Sequence, residues 1–204
     1  MICKLSPSAP RLILFAGHAG TGKSTLAKKG LPLIIKKTGE DFFFLDKDTV
    51  YGAYSAHVME LTTQNPNDRD SPYYLENLRD WEYQGLIDIA RENLLLGVNV
   101  ILVGPFSKEI QSGRMFDPIA LGIPPQTSIS IAWIDLDEEE AKHRMQKRAD
   151  PRDDWKLAHW EQYAPRRVNP PTHPIITRFD NARFDEAQFD QLIDALTRQA
   201  TSQK

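Results

Sequence analysis

The most constraining feature of this 204-residue chain is a glycine-rich loop close to its amino terminus. Residues 17–24 read Gly-His-Ala-Gly-Thr-Gly-Lys-Ser, which fills every fixed position of the phosphate-binding pattern G-x-x-x-x-G-K-[ST]. An apolar run at residues 11–16 precedes the loop, and a helical pattern begins at Ser24. Because strand, glycine loop and helix in this order form the context in which the pattern binds phosphate, we predict a bound nucleoside triphosphate, with ATP favoured.

Each residue type in the loop has a physical role in holding a polyphosphate. The glycines let backbone N–H groups turn inward around an anion, Lys23 can reach the terminal phosphates, and the Ser24 hydroxyl can bind Mg²⁺. The amino terminus of the following helix adds its positive dipole end. His18 occupies a variable position, so its ring is expected to point away from the phosphates. The predicted nucleotide contacts are Gly17, His18, Ala19, Gly20, Thr21, Gly22, Lys23, Ser24 and Thr25.

Composition argues against several classes of protein. The formal net charge of −3 supplies no global field for nucleic acid or an anionic membrane. Cys3 is the single cysteine, which rules out an internal disulfide and is consistent with a reducing compartment. No apolar run approaches the roughly 18 residues of a membrane span, and the first residues lack a signal-peptide pattern. We therefore expect a cytoplasmic monomer or homodimer, one domain over residues 1–204, without a nucleic-acid or membrane partner.

Apolar runs alternate with helical patterns along the rest of the chain. Further strands are predicted at residues 41–45, 98–103, 128–134 and 174–177, and helices at 74–96, 137–148 and 185–198. This alternation predicts an α/β fold with about five parallel strands and helices on both faces of the sheet. Residues 51–74 are polar and rich in turn residues, and we expect them to form a substrate-side insertion.

Two carboxylates follow the second predicted strand. Asp46 and Asp48 stand at its carboxyl end, where open α/β sheets bind ligands. Asp48 is our candidate for positioning or deprotonating an acceptor hydroxyl, and Asp46, with Ser24, for binding Mg²⁺. Because residues two apart in an extended chain point the same way, we expect the carboxylates to be close and to raise each other's proton affinity. The alternative is that Asp48 caps a helix that begins near Thr49 or Val50.

A basic segment follows the helix predicted at residues 137–148. Arg144, Arg148 and Arg152 are spaced by four residues, and guanidinium groups that face a triphosphate can neutralise charge on the transferred group. Pro151 would end the helix, so residues 144–156 are predicted to form a lid. We predict catalytic roles for Arg144 and Arg148, with Arg148 favoured, and nucleotide binding for Arg152. The alternative is a solvated helix whose arginines pair with the nearby acids Glu139, Glu140 or Asp153.

Three segments, residues 17–24, 46–49 and 144–152, together resemble the P-loop small-molecule kinases. This group includes gluconate kinase, shikimate kinase, chloramphenicol phosphotransferase and the kinase domain of phage-type polynucleotide kinase. The resemblance implies a P-loop fold and transfer of the γ-phosphoryl group of ATP to a hydroxyl of a small molecule, with Mg²⁺ as cofactor. It implies that Asp48 acts on the acceptor hydroxyl and that Arg144 and Arg148 are lid arginines.

Departures from the family pattern leave the acceptor open. The polynucleotide kinases have an arginine three residues past the catalytic aspartate, where this chain has Tyr51. The strand at residues 98–103 lacks the closing aspartate of a Walker B motif, and residues 104–106 replace the glycine pair of shikimate kinase. A 5′-end kinase of nucleotides or nucleic acid and a non-catalytic regulatory ATP-binding module therefore remain as alternatives. For an anionic acceptor, the candidate ligands are Arg69 and Arg114.

Overall fold

A computed structural model describes residues 9–198 of the chain, so Cys3 lies outside the described part. The strands are β1 (Arg11–Ala16), β2 (Phe42–Asp46), β3 (Asn99–Val103), β4 (Ser128–Asp135) and β5 (Ile176–Asp180). The helices are α1 (Lys23–Thr38), α2 (Lys47–Thr63), α3 (Pro72–Asn77), α4 (Arg79–Leu95), α5 (Ser107–Gln111), α6 (Pro118–Leu121), α7 (Glu138–Arg148), α8 (Asp154–Ala158), α9 (Trp160–Tyr163) and α10 (Glu186–Thr197). None of these helices is long and apolar enough to cross a membrane.

The strands form one parallel sheet in the order β2-β3-β1-β4-β5. This confirms the predicted α/β class and the predicted number of strands. The prediction for the last strand, residues 174–177, was displaced, because the observed strand is defined by pairing with β4 and includes polar residues that hydropathy does not detect. The strands β3 and β2 lie on one side of β1, and β4 and β5 lie on the other, so the chain changes the direction in which it builds the sheet at β1. Open α/β sheets bind ligands at the carboxyl ends of the strands beside such a point, and we therefore expect a ligand site at the carboxyl end of β1.

The core lies in two layers, one on each face of the sheet. Leu12 and Leu14 of β1 belong to one cluster, which packs against α4, and Ile13 and Phe15 belong to the other, which packs against α1 and α10. All of β1 is buried because helices cover both of its faces. The prediction of helices on both faces is therefore confirmed, and the ends of the central strands are held rigidly.

The expectation that residues 51–74 are turn-rich throughout was wrong, because α2 continues to Thr63. The buried positions of α2 are Lys47, Ser55 and Met59, and two of these three are polar, so no hydrophobic stripe marks the helix in the sequence. The predicted helix at residues 74–96 is also divided, since α3 ends before Leu78 and α4 begins after it. Within residues 51–74, irregular chain is thus confined to the stretch between α2 and α3.

Candidate active site

The loop after β1 has the backbone conformation that inward-facing amides require. Gly17, Gly20 and Gly22 have φ angles of 135°, 80° and 90°. A Cβ atom at Gly17 would lie 2.4 Å from the carbonyl oxygen of Ile134, and one at Gly20 would lie 2.7 Å from that of Ala141. The loop therefore tolerates no side chain at either glycine, both because of its conformation and because it packs directly on β4 and α7.

We expect Gly17→Ala to destabilise the protein more than Gly39→Ala. Gly39 has a left-handed helical conformation, in which alanine costs about 1–2 kcal/mol, and Gly17, with a φ of 135°, lies in a region that alanine adopts even less readily. A Cβ at Gly39 meets no atom within 4 Å, whereas at Gly17 it collides with the backbone of β4. That collision adds about 1–3 kcal/mol to the loss of stability. Urea unfolding measures both variants, and equal losses would contradict the role given to the packing of Gly17.

Lys23 is held inside the loop and faces the end of β2. Its Nζ donates a hydrogen bond to the carbonyl oxygen of His18 at 2.6 Å. Burial lowers the pKa of Lys23 to about 8, while Asp48 and Asp46 act in the opposite direction. The lysine is therefore mainly protonated at neutral pH, and its charge is directed toward the two carboxylates. This is the position from which an ammonium group can contact phosphate oxygens in the loop.

The ring of His18 anchors the chain that follows the predicted lid. It lies edge-on to Trp133, with ring centroids 5.4 Å apart, and its Nε2 lies 2.8 Å from the Val168 carbonyl oxygen and 3.0 Å from the Val168 nitrogen. Burial lowers the pKa of His18 to about 4, and Arg167 and Lys23 add to this effect, while the hydrogen bond with Val168 opposes it. A neutral imidazole can bind the Val168 backbone through Nε2 in either tautomer, as a donor or as an acceptor. The ring of His18 thus contacts Trp133 and Val168, whereas its backbone carbonyl oxygen accepts the hydrogen bond from Lys23.

A pH experiment tests this role of His18. Between the folded pKa of about 4 and the ordinary value of 6.5, the unfolded chain binds more protons than the folded chain. The stabilisation that depends on neutral His18 is therefore lost as the pH falls through this window. We expect His18→Asn to be less stable than wild type at pH 7.5 but to lose less stability between pH 7 and pH 4.5. Urea unfolding measures the slopes, and a wild-type slope in His18→Asn would contradict the assignment.

Asp46 caps helix α2 at the edge of the site. Its carboxylate accepts a hydrogen bond from the Asp48 N–H group at 2.9 Å. The alternative that Asp48 is the cap is therefore wrong, and so is the expectation that the two residues lie on one extended segment. The chain enters α2 directly after Asp46, which places Asp48 in the first helical turn. The two carboxylates consequently have different surroundings.

Asp48 carries its negative charge among cations. One carboxylate oxygen lies 3.4 Å from Arg69 Nη2 and 3.6 Å from Lys47 Nζ, and the other lies 3.3 Å from Arg152 Nη1. Burial acts to raise the pKa of Asp48, but Lys47, Arg69 and Arg152 outweigh it and hold the pKa below its ordinary value. The expectation of a raised proton affinity was therefore wrong. Asp48 is ionised at neutral pH and can accept a hydrogen bond from an incoming hydroxyl.

Glu82 binds Lys47, one of the cations beside Asp48. It is buried, and it lies 2.7 Å from Lys47 Nζ, while the Tyr74 hydroxyl donates to it at 2.5 Å and the Ser55 hydroxyl donates to its other oxygen. Burial raises the pKa of Tyr74, and the charge of Glu82 adds to this, so the phenol stays a donor. Removing one partner of a buried ion pair costs about 3–5 kcal/mol. Glu82 thus fixes Lys47 beside Asp48.

Two of the three predicted lid arginines face the site. Arg152 contacts Asp48 as described and also binds Asp150, with an Nη2–Oδ2 distance of 2.6 Å. Arg148 forms an ion pair with the buried carboxylate of Asp153. Both arginines line the cavity in front of the loop. They therefore face the same cavity as the loop and Asp48.

Arg144 lies outside this cavity, so the geometry does not support its predicted catalytic role. Its Nε pairs with Glu140 at 2.8 Å, as the alternative of a paired surface helix expected, and its Nη2 donates to the carbonyl oxygen of Asn181 at 2.9 Å. Asn181 in turn donates to the carbonyl oxygen of Thr21 at 2.8 Å. A Cβ atom at Gly22 would lie 2.6 Å from the same amide nitrogen. Arg144 therefore supports the loop from outside through Asn181.

A cavity of about 350 Å³ connects the loop to the acidic pair. Seven of the predicted nucleotide contacts within the loop line it, namely His18, Ala19, Gly20, Gly22, Lys23, Ser24 and Thr25. Gly17 and Thr21 do not; the Thr21 hydroxyl donates instead to the carbonyl oxygen of His18 at 2.9 Å. Five lining cations were missed from the sequence, namely Lys47, Arg79, Lys108, Lys156 and Arg166. Arg79, Lys108 and Arg166 stand outside every predicted motif, whereas Lys47 lies between the two predicted carboxylates and Lys156 lies in the predicted lid, where neither lysine was assigned a role.

The residues at the loop fit a magnesium ion that arrives with a nucleotide. Within residues 9–198, no cluster of three or more His, Cys, Asp or Glu side chains could hold a metal by itself. Ser24 and Asp46 both line the cavity, and they supply the hard oxygen ligands that Mg²⁺ prefers. In nucleotide sites Mg²⁺ typically takes one or two protein ligands and completes its shell with phosphate oxygens and water. The donor set is therefore suited to a nucleotide-bound ion.

Known proteins share this architecture. Solved structures similar to the chain include a putative kinase from Chloroflexus aurantiacus, with a TM-score of 0.62, 18% identity, and coverage of 95% of this chain and 100% of that one. The APS kinase CysC of Mycobacterium tuberculosis in complex with AMPPNP and APS has a TM-score of 0.62 and 18% identity, with coverage of 94% and 100%. A gluconokinase from Sinorhizobium meliloti has a TM-score of 0.54 and 15% identity, with coverage of 93% of each chain. At this level of identity the likeness shows the fold.

The sequence itself also matches a family. No curated protein sequence is significantly similar to the chain. The family model described as AAA domain matches residues 12–170, which include the phosphate-binding loop, the acidic pair and the predicted lid. Together with the parallel sheet, this match confirms the resemblance to P-loop kinases that the three sequence segments indicated. The chain belongs to the AAA domain family and has a P-loop kinase-like fold.

Proposed function

We propose that this protein is an ATP-dependent phosphotransferase that moves the γ-phosphoryl group of ATP to a hydroxyl group of a small molecule. The observation that carries the proposal is that Lys23 and the ionised Asp48 face one cavity from the first turns of α1 and α2. A phosphate held by the lysine and a hydroxyl held by the aspartate would therefore meet in that cavity. Phosphoryl transfer depends mainly on such positioning and on stabilisation of charge.

Each residue has a distinct role in this proposal. Lys23 and the loop amides hold the phosphates, and Ser24 and Asp46 hold Mg²⁺, which would offset phosphate charge when bound. Asp48 orients the acceptor hydroxyl and accepts its proton as the bond to phosphorus forms. A strong base is not required, because the transition state is largely dissociative and proton transfer can be late. A low pKa in Asp48 is therefore compatible with the reaction.

The lid arginines complete the proposed site. Arg148 and Arg152 lie on the cavity wall, where their charges can stabilise the transferred group. The ion pair between Arg152 and Asp48 links the predicted lid to the acceptor position. We propose that substrates displace this pair and that closure of the lid over them excludes water, which would otherwise hydrolyse ATP.

The test is a search for acceptor-dependent turnover. The full chain is incubated with γ-labelled ATP and Mg²⁺ in the presence of polyols, sugars, hydroxy acids, nucleosides or 5′-hydroxyl oligonucleotides. We expect ADP formation and a labelled product with a small-molecule pool. A labelled oligonucleotide would instead identify a 5′-end kinase. If no pool raised ATP turnover while ATP still bound, the phosphotransferase proposal would be wrong and a regulatory module would be favoured.

A further inference from the structure

Arg69 is a buried cation with incomplete hydrogen bonding. Its side chain is only 6% exposed, and it lines the cavity next to Asp48. Its carboxylate contacts are long, at 3.4 Å to Asp48 and 3.9 Å to Glu82. No hydrogen-bond acceptor is available to its Nε atom within the described part of the chain. Because buried N–H groups are nearly always paired in folded proteins, this guanidinium has unused capacity for an oxygen ligand.

Arg166 also lines the cavity and is linked to the segment that carries Arg69. Its Nη1 donates to the carbonyl oxygen of Asp70 at 2.9 Å, and Asp70 directly follows Arg69 in the chain. Its guanidinium lies over the ring of Trp155, with 4.9 Å between Cζ and the ring centroid. Arg166 lines the cavity and forms no ion pair with a carboxylate of residues 9–198. Asp70 therefore links the two arginines, since it follows Arg69 in the chain and accepts a hydrogen bond from Arg166.

The neighbouring cations already have close carboxylate partners. These pairs are Lys47–Glu82 at 2.7 Å, Lys156–Asp70 at 2.5 Å and Arg79–Glu109 at 2.6 Å. Such pairs contribute little net attraction for a further anion, because each positive charge is balanced at short range. Arg69 has only the longer contacts with Asp48 and Glu82, and Arg166 has no ion pair with a carboxylate of residues 9–198. A guanidinium group is suited to binding a carboxylate or phosphate through two hydrogen bonds.

We propose that Arg69 and Arg166 form an anion site for the acceptor, and that the acceptor is a small hydroxyl compound bearing one oxyanion, a carboxylate or a phosphate monoester. The inference rests on the proposed phosphotransferase function. Arg69 contacts Asp48, so its guanidinium would lie beside both the bound anion and the Asp48 carboxylate and would offset the repulsion between these two negative charges. The cavity of about 350 Å³ must also admit the end of the triphosphate, which restricts the acceptor to metabolite size. Arg114, the other arginine considered from the sequence, binds Gln84 at 2.7 Å and does not line the cavity.

Two measurements on the full chain test the proposal. In the first, protein saturated with a non-hydrolysable ATP analogue and Mg²⁺ is titrated calorimetrically with inorganic phosphate and with acetate. In the second, turnover is measured with matched acceptors that differ only in the anionic group, such as glycerate, glycerol 3-phosphate and glycerol, and then longer members of the same series. Both use wild type, Arg69→Gln, Arg166→Gln and the control Arg91→Gln, a partly exposed arginine that pairs with Asp88.

We expect anion binding to weaken roughly tenfold to a hundredfold in Arg69→Gln and less in Arg166→Gln, as for the loss of a charged hydrogen bond. The KM for the acceptor should rise by a similar factor while the KM for ATP stays the same. Preference between phosphate and acetate identifies the kind of oxyanion. Arg91→Gln should match wild type in both measurements.

The outcomes separate this inference from the proposed function. Anion binding that depends on Arg69, without phosphorylation of any acceptor, would support the anion site and contradict the phosphotransferase. Phosphorylation of neutral polyols as efficiently as of their acids, with no effect of Arg69→Gln on the KM for the acceptor, would support the phosphotransferase and overturn the anion site. Equal changes in the KM for ATP and for the acceptor would also overturn it, because they would indicate general damage to the cavity.

Discussion

Replacing Asp48 by asparagine is expected to lower kcat for phosphoryl transfer by about 10²- to 10⁴-fold, the usual contribution of a general base. ATP affinity should be unchanged or slightly higher, because the substitution removes a negative charge from the neighbourhood of the phosphates. Asparagine preserves the size of the side chain and one acceptor oxygen, so the contacts with Arg69 and Arg152 are weakened rather than lost. Steady-state kinetics and calorimetric ATP titration separate the two effects.

The matched control for Asp48→Asn is Asp150→Asn. Asp150 also pairs with Arg152, through an Nη2–Oδ2 distance of 2.6 Å, but it does not line the cavity. Its replacement should change kcat only a few-fold, which distinguishes the loss of a partner for Arg152 from the loss of the acceptor-positioning group. If Asp48→Asn weakened ATP binding as strongly as it lowered transfer, Asp48 would be a nucleotide ligand and its assignment to the acceptor would be wrong.

Replacing Lys23 by methionine is expected to lower both ATP affinity and kcat. Loss of one charged hydrogen bond weakens binding roughly tenfold to a hundredfold, and loss of a donor to the transferred group lowers kcat by about 10²- to 10³-fold. Folding should be unaffected or improved, because burial of the ammonium group opposes folding, as its lowered pKa indicates. An activity loss with an unchanged Tm is therefore the expected result.

The pH dependence of ATP binding supplies a second readout for Lys23. Because burial lowers the pKa of the lysine to about 8, the ammonium group loses its proton as the pH rises through that value. ATP affinity in wild type should decline above pH 8, whereas Lys23→Met should lack this component. Lys29→Met, at a half-exposed position of α1 that pairs with Glu186, should behave as wild type. The same decline in Lys23→Met would show that another group is responsible.

Local sequence signals predicted most of the framework correctly. The strands at β1, β3 and β4 and the helices α7 and α10 are apolar or periodic segments, and none of their observed bounds differs from the predicted one by more than one residue. A helix that begins near Thr49 or Val50 was considered only as an alternative, and the length of α2 was not predicted, because its buried stripe contains Lys47 and Ser55, whose polar groups are satisfied by Glu82. Hydropathy does not register a buried polar residue whose partner lies 35 or 27 positions away.

The charge of Asp48 shows the same limit within the site. From the sequence, Asp46 was the neighbour expected to affect Asp48, and two close carboxylates predicted a raised proton affinity. In the structure Arg69 and Arg152 approach it from α2's outgoing loop and from the lid, so the sign of the effect reverses. The spacing of Arg144, Arg148 and Arg152 likewise indicated a shared face. In the structure Arg144 instead donates a hydrogen bond to the carbonyl oxygen of Asn181, outside the cavity.

The amino-acid sequence by itself determined that this protein has a phosphate-binding loop, because Gly17 to Ser24 are consecutive and their conformation follows from glycine, lysine and hydroxyl positions within eight residues. Only the tertiary structure decided the charge state of Asp48, the arginines that face the cavity and the incomplete bonding of Arg69. Those properties depend on side chains from four separate parts of the chain, which the parallel crossovers bring to one edge of the sheet, and electrostatic interactions act through space over a few ångströms rather than along the sequence.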